Sequence, residues 1–155
     1  METAPAQRQA AILFADIAGS TRLYETLGDA EALATITRAL DLIRQVCEEH
    51  GGRIVKTIGD AYMVIFPNAA NAAYASITMQ TQVSGMKTSR GAPLSIHAGF
   101  HYGPVIEESK DVFGDSVNLA ARLTSLAKAS QTLLSEDTLA ILSPSLRSRT
   151  RPQDT

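Results

Sequence analysis

The length, composition and charge of the chain exclude several classes of protein. With 155 residues, 45% of them hydrophobic, it can form one domain with a substantial core but not two. A formal net charge of −2 gives no general attraction to nucleic acid or to an anionic membrane, so we expect neither as a partner. The single cysteine, Cys47, excludes an intrachain disulfide framework and favours a reducing, cytoplasmic setting. We expect no membrane span, because no segment approaches roughly 20 apolar residues, and no signal peptide, because METAPAQRQ lacks an apolar core.

The first part of the chain predicts a strand followed by a long helix. Residues 10–17, AAILFADI, are almost continuously apolar, which is typical of a strand covered on both faces. We expect residues 1–9 before it to be disordered. Ser20 or Thr21 is predicted to cap one long amphipathic helix that ends at HGG, residues 50–52. Its apolar residues recur at helical spacing: Leu33, Ile36, Leu40, Ile43 and Val46.

A hairpin and a mixed second half follow. The run RIVKTIGDAYMVIF, residues 53–66, consists of two β-rich segments around a Gly-Asp turn, which predicts a hairpin. After it we predict a helix, a polar loop, a strand, a short strand-turn-strand unit, a helix opened by Asp115 or Ser116, a strand and a short helix. These segments are residues 69–86, 87–93, 94–103, 104–114, 115–127, 131–135 and 136–142. The tail, residues 143–155, shows no clear period, and we expect it to be loose.

This order of elements predicts an α+β fold with a ferredoxin-like, palm-type βαββαβ core and a C-terminal helix-strand extension. The first crossover should be right-handed, so that the first two strands run parallel and the third returns between them. The end of the first strand and the tip of the hairpin then share one edge of the sheet. Asp16 and Asp60 should therefore be neighbours.

Two carboxylates at adjacent strand ends predict a site for hard divalent cations that carry a phosphate ligand. The segment AGST, residues 18–21, adds backbone N–H groups and a helix N-terminus for phosphate oxygens. Taken singly, Asp60 is most simply a turn residue and Asp16 a helix cap. Their predicted convergence favours the metal site.

Four motifs resemble a known family. They are FADIAGST, RIVKTIGDAYMVIF, HAGFHYGPV and DVFGDSVNLAARL, between about residue 10 and residue 142. Together they resemble the class III nucleotide cyclases, the adenylate and guanylate cyclases, and most closely bacterial adenylate cyclases with a short dimerisation arm. The resemblance implies a catalytic domain over residues 10–142 that lacks its last strands, where the family carries a lysine for the triphosphate. It also implies a head-to-tail homodimer whose shared active sites form a 3′,5′-cyclic nucleotide and pyrophosphate.

The resemblance also implies a role for each motif residue at the metal and phosphate site. Asp16 and Asp60 would hold two Mg²⁺ or Mn²⁺ ions, with the backbone carbonyl of Ile17 as a further ligand. One ion would activate the ribose 3′-hydroxyl, and the other would neutralise the triphosphate. The residues that would bind the triphosphate are Gly19, Ser20 and Thr21.

Lys56 and Asp111 match the base-reading pair of the family. Adenine offers an acceptor at N1 and a donor amine at C6, which a lysine donor and an aspartate acceptor complement. Guanine has the opposite polarity at these atoms, so this pair favours ATP. Because Lys56 and Asp60 are four residues apart on one hairpin, they should serve different sites across the dimer.

Asn118 and Arg122 lie four apart, on one face of their predicted helix, with Ala120, Leu123 and Ala127 on the opposite, buried face. In the family this asparagine orients the ribose, and the arginine stabilises charge on the α-phosphate in the transition state. An Asn-Arg pair on a helix is by itself more often a solvated face. We interpret the three histidines as structural.

The sequence thus predicts an adenylate cyclase that makes cyclic AMP from ATP. Two alternatives remain open. The chain could be a cyclase-like nucleotide-binding or dimerisation module with little turnover, which the missing C-terminal segment would explain. It could also be a palm-type phosphotransferase, although that class does not account for Lys56 and Asp111.

Overall fold

The structure, a computed structural model, describes residues 6–153, and its sheet is built around one long strand. The strands are β1 (Ala6–Ala18), β2 (Arg53–Ile58), β3 (Ala61–Phe66), β4 (Ser95–Glu108), β5 (Asp111–Phe113) and β6 (Thr132–Leu134). The helices are α1 (Ser20–Leu27), α2 (Asp29–Glu49), α3 (Ala69–Ser84), α4 (Asp115–Leu126), α5 (Glu136–Ile141) and α6 (Pro144–Arg147), with a 3₁₀ turn at Ser89–Gly91. None of the helices in residues 6–153 has the length and apolarity that crossing a bilayer requires.

The strand order is β2-β3-β1-β4-β5, and β6 pairs with β4 in parallel. β1 is central and runs antiparallel to both β3 and β4, and β3 runs antiparallel to β2. The third strand therefore lies between the first two, which run parallel, as predicted. The ferredoxin-like α+β core and its C-terminal extension are confirmed.

Both ends that were predicted to be loose contain regular structure, a strand from Ala6 and a helix at Pro144–Arg147. β1 starts at Ala6, because the long β4 supplies backbone partners for residues 6–9, so the expected disorder was wrong there. The prediction for residues 1–5 lies outside the described residues. At the other end, Ser143 caps α6 through its hydroxyl, and Leu146 is buried in the core, so the tail was wrongly expected to be loose at these positions.

The predicted long helix is two helices separated at Gly28. This glycine has φ 81° and ψ 166°, a conformation outside the helical region that glycine adopts at low cost. Leu33, which we predicted on the apolar face of the long helix, is 57% exposed. The buried side of α2 is instead formed by Ala32, Thr35, Ile36, Ala39, Ile43, Val46 and Cys47.

The sheet has two unequal faces, which we call the first and second faces. Because side chains alternate along a strand, odd-numbered residues of β1 such as Leu13 point to the first face, and even-numbered ones such as Ile12 point to the second. The first face packs on α2 and α3 and forms the larger core, with Phe66 and Met79 fully buried. The second face carries a smaller cluster around Ile12, which includes Ala120 of α4.

α4 lies directly against β4 on the second face. A Cβ atom on Gly99 would be 2.5 Å from the Thr124 backbone nitrogen, and one on Gly103 would be 2.5 Å from the Ser116 hydroxyl. Only glycine leaves room for the helix at such distances. The two glycines therefore set how closely α4 approaches the strands.

Candidate active site

β1 and the β2–β3 turn bring Asp16 and Asp60 to the same edge of the sheet. Asp16 lies opposite Ala61, the residue after Asp60, and the Ile17 N–H donates to the Asp60 carbonyl at 3.2 Å. Both aspartates are half-buried, and 36% of the Asp16 side chain is exposed. The predicted adjacency of the first strand end and the hairpin tip is confirmed.

The backbone carbonyl of Ile17 points toward the same turn. In an antiparallel pair, the N–H and C=O of one residue face the same neighbouring strand. Among the described residues, no backbone hydrogen bond joins the Asp60 N–H to this carbonyl. The Ile17 carbonyl therefore lies at the same edge of the sheet as the two carboxylates.

The donor set at this edge fits Mg²⁺ or Mn²⁺. Two carboxylates and a carbonyl are hard oxygen ligands, and their partial exposure leaves space for water and phosphate oxygens. Within residues 6–153 there is no group of three or more His, Cys, Asp or Glu side chains that could enclose an ion.

His97 is a neighbour of Asp16 that the sequence interpretation missed. Its Nε2 lies 3.2 Å from Oδ2 of Asp16, and its Nδ1 donates to the Thr124 carbonyl at 2.7 Å. The imidazole ring thus connects the carboxylate to the last turn of α4. Only the register of β4 against β1 places the two side chains together, and a single sequence does not give that register.

The loop after β1 presents unsatisfied helix N–H groups. Gly19 is the N-cap of α1, in the left-handed region at φ 71°, and makes no side-chain capping bond. Ser20 and Thr21 are the first residues of the helix, so the prediction that one of them caps it was wrong. The first N–H groups of a helix have no partner inside it and favour an anion such as phosphate.

Lys56 and Asp111 meet where the β4–β5 hairpin approaches β2. Lys56 Nζ lies 3.0 Å from Oδ2 of Asp111, while Oδ1 of Asp111 accepts from the Val112 N–H at 2.7 Å. The Val112 N–H and then Lys56 lower the pKa of the Asp111 carboxyl below its usual value. The carboxylate is therefore ionised at neutral pH and available as an acceptor.

A β-bulge puts two cations of β2 on one face. Pairing shifts between Ile54 and Lys56, so that Arg53 faces Ile65 and Lys56 faces Met63. Ile65 and Met63 are two apart and share the second face, so Arg53 and Lys56 share it as well. In a regular strand, residues three apart would point to opposite faces.

Asn118 and Arg122 are both exposed on α4, as predicted. The buried side of the helix is Ser116, Ala120 and Thr124, whereas Leu123 and Ala127 are only half-buried, so the predicted buried face was partly wrong. The buried residues Ser116, Ala120 and Thr124 are four apart, and β4 covers this side of the helix because Gly103 contacts Ser116 and Gly99 contacts Thr124.

The described residues form two separate groups. Asp16, Ile17 and Asp60 lie at one edge, and Lys56 contacts Asp111 near the β4–β5 turn. Across residues 6–153 no hydrogen bond or ion pair joins the two groups.

Comparison with known proteins identifies the family. Residues 2–154 match the sequence profile described as the adenylate and guanylate cyclase catalytic domain. The chain belongs to the class III nucleotide cyclases. It is 35% identical over 163 residues to an adenylate cyclase of Lachancea kluyveri. The aligned region covers 88% of this chain but only 9% of the Lachancea protein, so the chain spans a small part of that relative's length.

Solved structures of cyclases share the fold. The monomeric guanylyl cyclase domain of the RhoGC fusion protein from Blastocladiella emersonii has a TM-score of 0.79 and 26% identity, covering 89% of this chain and 87% of that one. An adenylate/guanylate cyclase/hydrolase from Silicibacter pomeroyi has a TM-score of 0.75 and 33% identity, covering 88% and 80%. Relatives named for both nucleotides therefore match this class III cyclase chain, and family membership leaves the choice of base open.

Proposed function

We propose that this cyclase domain is an adenylate cyclase, which converts ATP to 3′,5′-cyclic AMP and pyrophosphate at sites shared between two copies of the chain. The observation that carries the proposal is the contact of Lys56 with Asp111 inside a cyclase domain. The two side chains present one donor and one acceptor, a few ångströms apart. Adenine offers the matching acceptor at N1 and donor at C6, and guanine does not.

The edge formed by Asp16, Ile17 and Asp60 would hold two Mg²⁺ or Mn²⁺ ions. When bound, these ions lower the pKa of the ribose 3′-hydroxyl and neutralise charge on the triphosphate. Asp16 and Asp60 would provide carboxylate oxygens as ligands at this edge, beside the carbonyl oxygen of Ile17. The first turn of α1, with Gly19, Ser20 and Thr21, binds the phosphates through its N–H groups.

The partner subunit would supply the base and transition-state contacts to that same nucleotide. Asn118 would orient the ribose, and Arg122 would stabilise the charge that develops on the α-phosphate. Both side chains are exposed in one chain, which leaves them available to a nucleotide held by another. The homodimer is therefore part of the proposal, because one chain would not complete a site.

The test is complementation between two inactive variants, assayed for cyclic AMP and cyclic GMP with Mn²⁺. We expect Asp16→Asn and Arg122→Ala each to lower turnover by about 10²–10³-fold. Mixed together they should recover about a quarter of wild-type activity, because about half of the dimers are mixed and each has one intact site. Recovery with ATP and little with GTP supports the proposal.

Two outcomes would contradict it. Product from ATP that a mixture of the variants fails to restore would mean that the sites are not shared. Binding of ATP without any pyrophosphate, in a correctly folded wild-type dimer, would favour a nucleotide-binding or dimerisation module. The protein concentration should be varied, because a shared site gives activity that rises faster than linearly while the dimer is partly dissociated.

A further inference from the structure

We propose that Glu107 and Arg53 are positioning residues for base selection, because they hold the β4–β5 turn against β2 and thereby set where Asp111 lies relative to Lys56. The inference rests on the proposed function, in which Lys56 and Asp111 read the base. It concerns a second ion pair that lies next to this reading pair and has no role in the chemistry proposed above.

Two ion pairs connect β2 to the far end of the sheet, one to β4 and one to β5. Arg53 Nη2 lies 2.7 Å from Oε1 of Glu107, and Lys56 Nζ lies 3.0 Å from Oδ2 of Asp111. β2 and β5 are the first and last strands of the β2-β3-β1-β4-β5 order, so they share no backbone pairing. Side chains alone connect β2 to the β4–β5 turn at these positions.

The turn that carries Asp111 has little other support. It is a two-residue turn at Ser109 and Lys110, both in the left-handed region at φ 53° and 67°. Side chains other than glycine, asparagine and aspartate adopt this region reluctantly. β5 has only three residues, of which Val112 alone is buried. Pairing of Asp111 with Glu108 holds it within the hairpin, and contacts from β2 then set where the hairpin lies relative to Lys56.

Arg53 supplies such contacts in two places. Besides Glu107, it donates from Nη1 to the carbonyl of Lys110 at 3.5 Å. The guanidinium group thus contacts a side chain of β4 and the backbone of the turn at once, through two nitrogens that its planar fork holds in a fixed geometry. The β-bulge in β2 places Arg53 on the same face as Lys56, so both cations reach the same hairpin.

The Arg53–Glu107 ion pair contributes little to stability, so its role in the proposal is to position the turn. The side chains of Arg53 and Glu107 are 46% and 25% exposed, and exposed ion pairs contribute little to the free energy of unfolding. Arg8 of β1 also contacts Glu107 Oε1, at 3.0 Å, but makes no contact with the turn itself. Arg8 thus provides a matched control, because it shares the carboxylate without touching the turn or the strand of Lys56.

The experiment compares ATP with GTP in five single variants by kcat/KM and by nucleotide affinity. We expect Glu107→Gln and Arg53→Gln to reduce the ATP-over-GTP ratio about tenfold, mainly through KM for ATP, with kcat and Tm nearly unchanged. Arg53→Lys should recover part of the ratio, because it keeps the charge but loses the fork. Arg8→Gln and the neighbouring Glu108→Gln should leave the ratio within about twofold of wild type.

The double variant Arg53→Gln with Glu107→Gln provides a further check, since it should fall no lower than either single variant. A wild-type ratio in Glu107→Gln and Arg53→Gln would overturn the inference, and so would an equal loss in Arg8→Gln. Affinities for ATP and GTP distinguish this failure from failure of the proposed function. A chain that prefers ATP in binding but makes no cyclic AMP would refute the enzyme, while the variants would still show whether Glu107 and Arg53 set the preference.

Discussion

The two faces of the sheet differ in what their residues do. The first face, against α2 and α3, consists almost wholly of apolar side chains such as Leu13, Val64 and Phe66. The second face combines a smaller apolar cluster with candidate site residues: Asp16, Lys56 and the neighbouring His97 lie on it. One sheet thus places its larger core and its candidate site residues on opposite faces, by the direction of its side chains. Substitutions on the two faces should consequently give different kinds of defect.

The largest effect is expected at the edge where Asp60 lies. Asp60→Asn replaces a carboxylate by an isosteric amide, which weakens cation binding, and we expect cyclic AMP production to fall by about 10²–10³-fold. The melting temperature should stay near that of wild type, because the residue is half-buried in a turn. Asp41→Asn, an exposed change on α2, is the matched control. Equal loss in both variants would contradict the assignment.

The next largest effect concerns the close approach of α4 to the second face. In Gly99→Ala, the added Cβ would lie 2.5 Å from the Thr124 nitrogen, so the helix must shift, and we expect a loss of about 2–3 kcal/mol in the free energy of unfolding. Cyclase activity should fall as well, because the shift displaces Asn118 and Arg122. Urea denaturation measures the first effect. Gly85→Ala, where the nearest atom is at 3.5 Å, should be nearly neutral.

A smaller effect on stability alone is expected at the start of α3, on the first face. The Asn68 side chain accepts from the Asn71 N–H at 2.8 Å and caps the helix. Asn68→Ala should therefore lower the free energy of unfolding by about 1 kcal/mol. Since α3 carries none of the candidate site residues, kcat and KM should not change below the unfolding temperature. A change in the ATP-over-GTP ratio in this variant would break the separation of the two faces.

The smallest effect is a dependence of stability on pH at His101. Burial lowers the pKa of His101, an effect that Asp137 opposes, and its Nδ1 lies 2.6 Å from the Ser135 hydroxyl. The folded chain therefore binds a proton less readily than the unfolded chain. Stability is retained above the ordinary histidine pKa of about 6.5 and is lost as the pH falls from there through the lower pKa of the folded chain. Thermal melts of wild type and His101→Gln should differ in slope with pH, and equal slopes would contradict the assignment.

The core elements were predictable because the strands, turns and helices depend mainly on residues that are near each other in the sequence. Alternation, turn residues and the right-handed crossover were enough to place Asp16 beside the turn of Asp60. The family motifs then indicated Lys56 and Asp111, which the structure places 3.0 Å apart. Helix ends were less well predicted, since left-handed glycines at 19 and 28 began and divided helices in place of the expected side-chain cap.

Contacts that depend on register were not predictable from the sequence. The neighbour of Asp16, His97, becomes visible only once β1 and β4 are paired residue by residue. The shared face of Arg53 and Lys56 depends on a one-residue bulge, whose position a single sequence does not mark. Likewise, the order at Ala6 required a partner strand about 100 residues further along the chain.

The alternation along β1 has a consequence for how the candidate site tolerates change. Asp16 and Ile17 are consecutive, yet the side chain of Asp16 belongs to the candidate site and the side chain of Ile17 to the larger core. A slip of β1 by one position would turn Leu13 toward the second face and Asp16 into the first. Each large apolar side chain that loses its burial in this way costs about 1.5–3 kcal/mol. Burial of the core thus fixes the register of β1 and with it the face on which Asp16 lies. Substitutions that keep the odd-numbered residues of β1 apolar therefore also keep Asp16 on the second face.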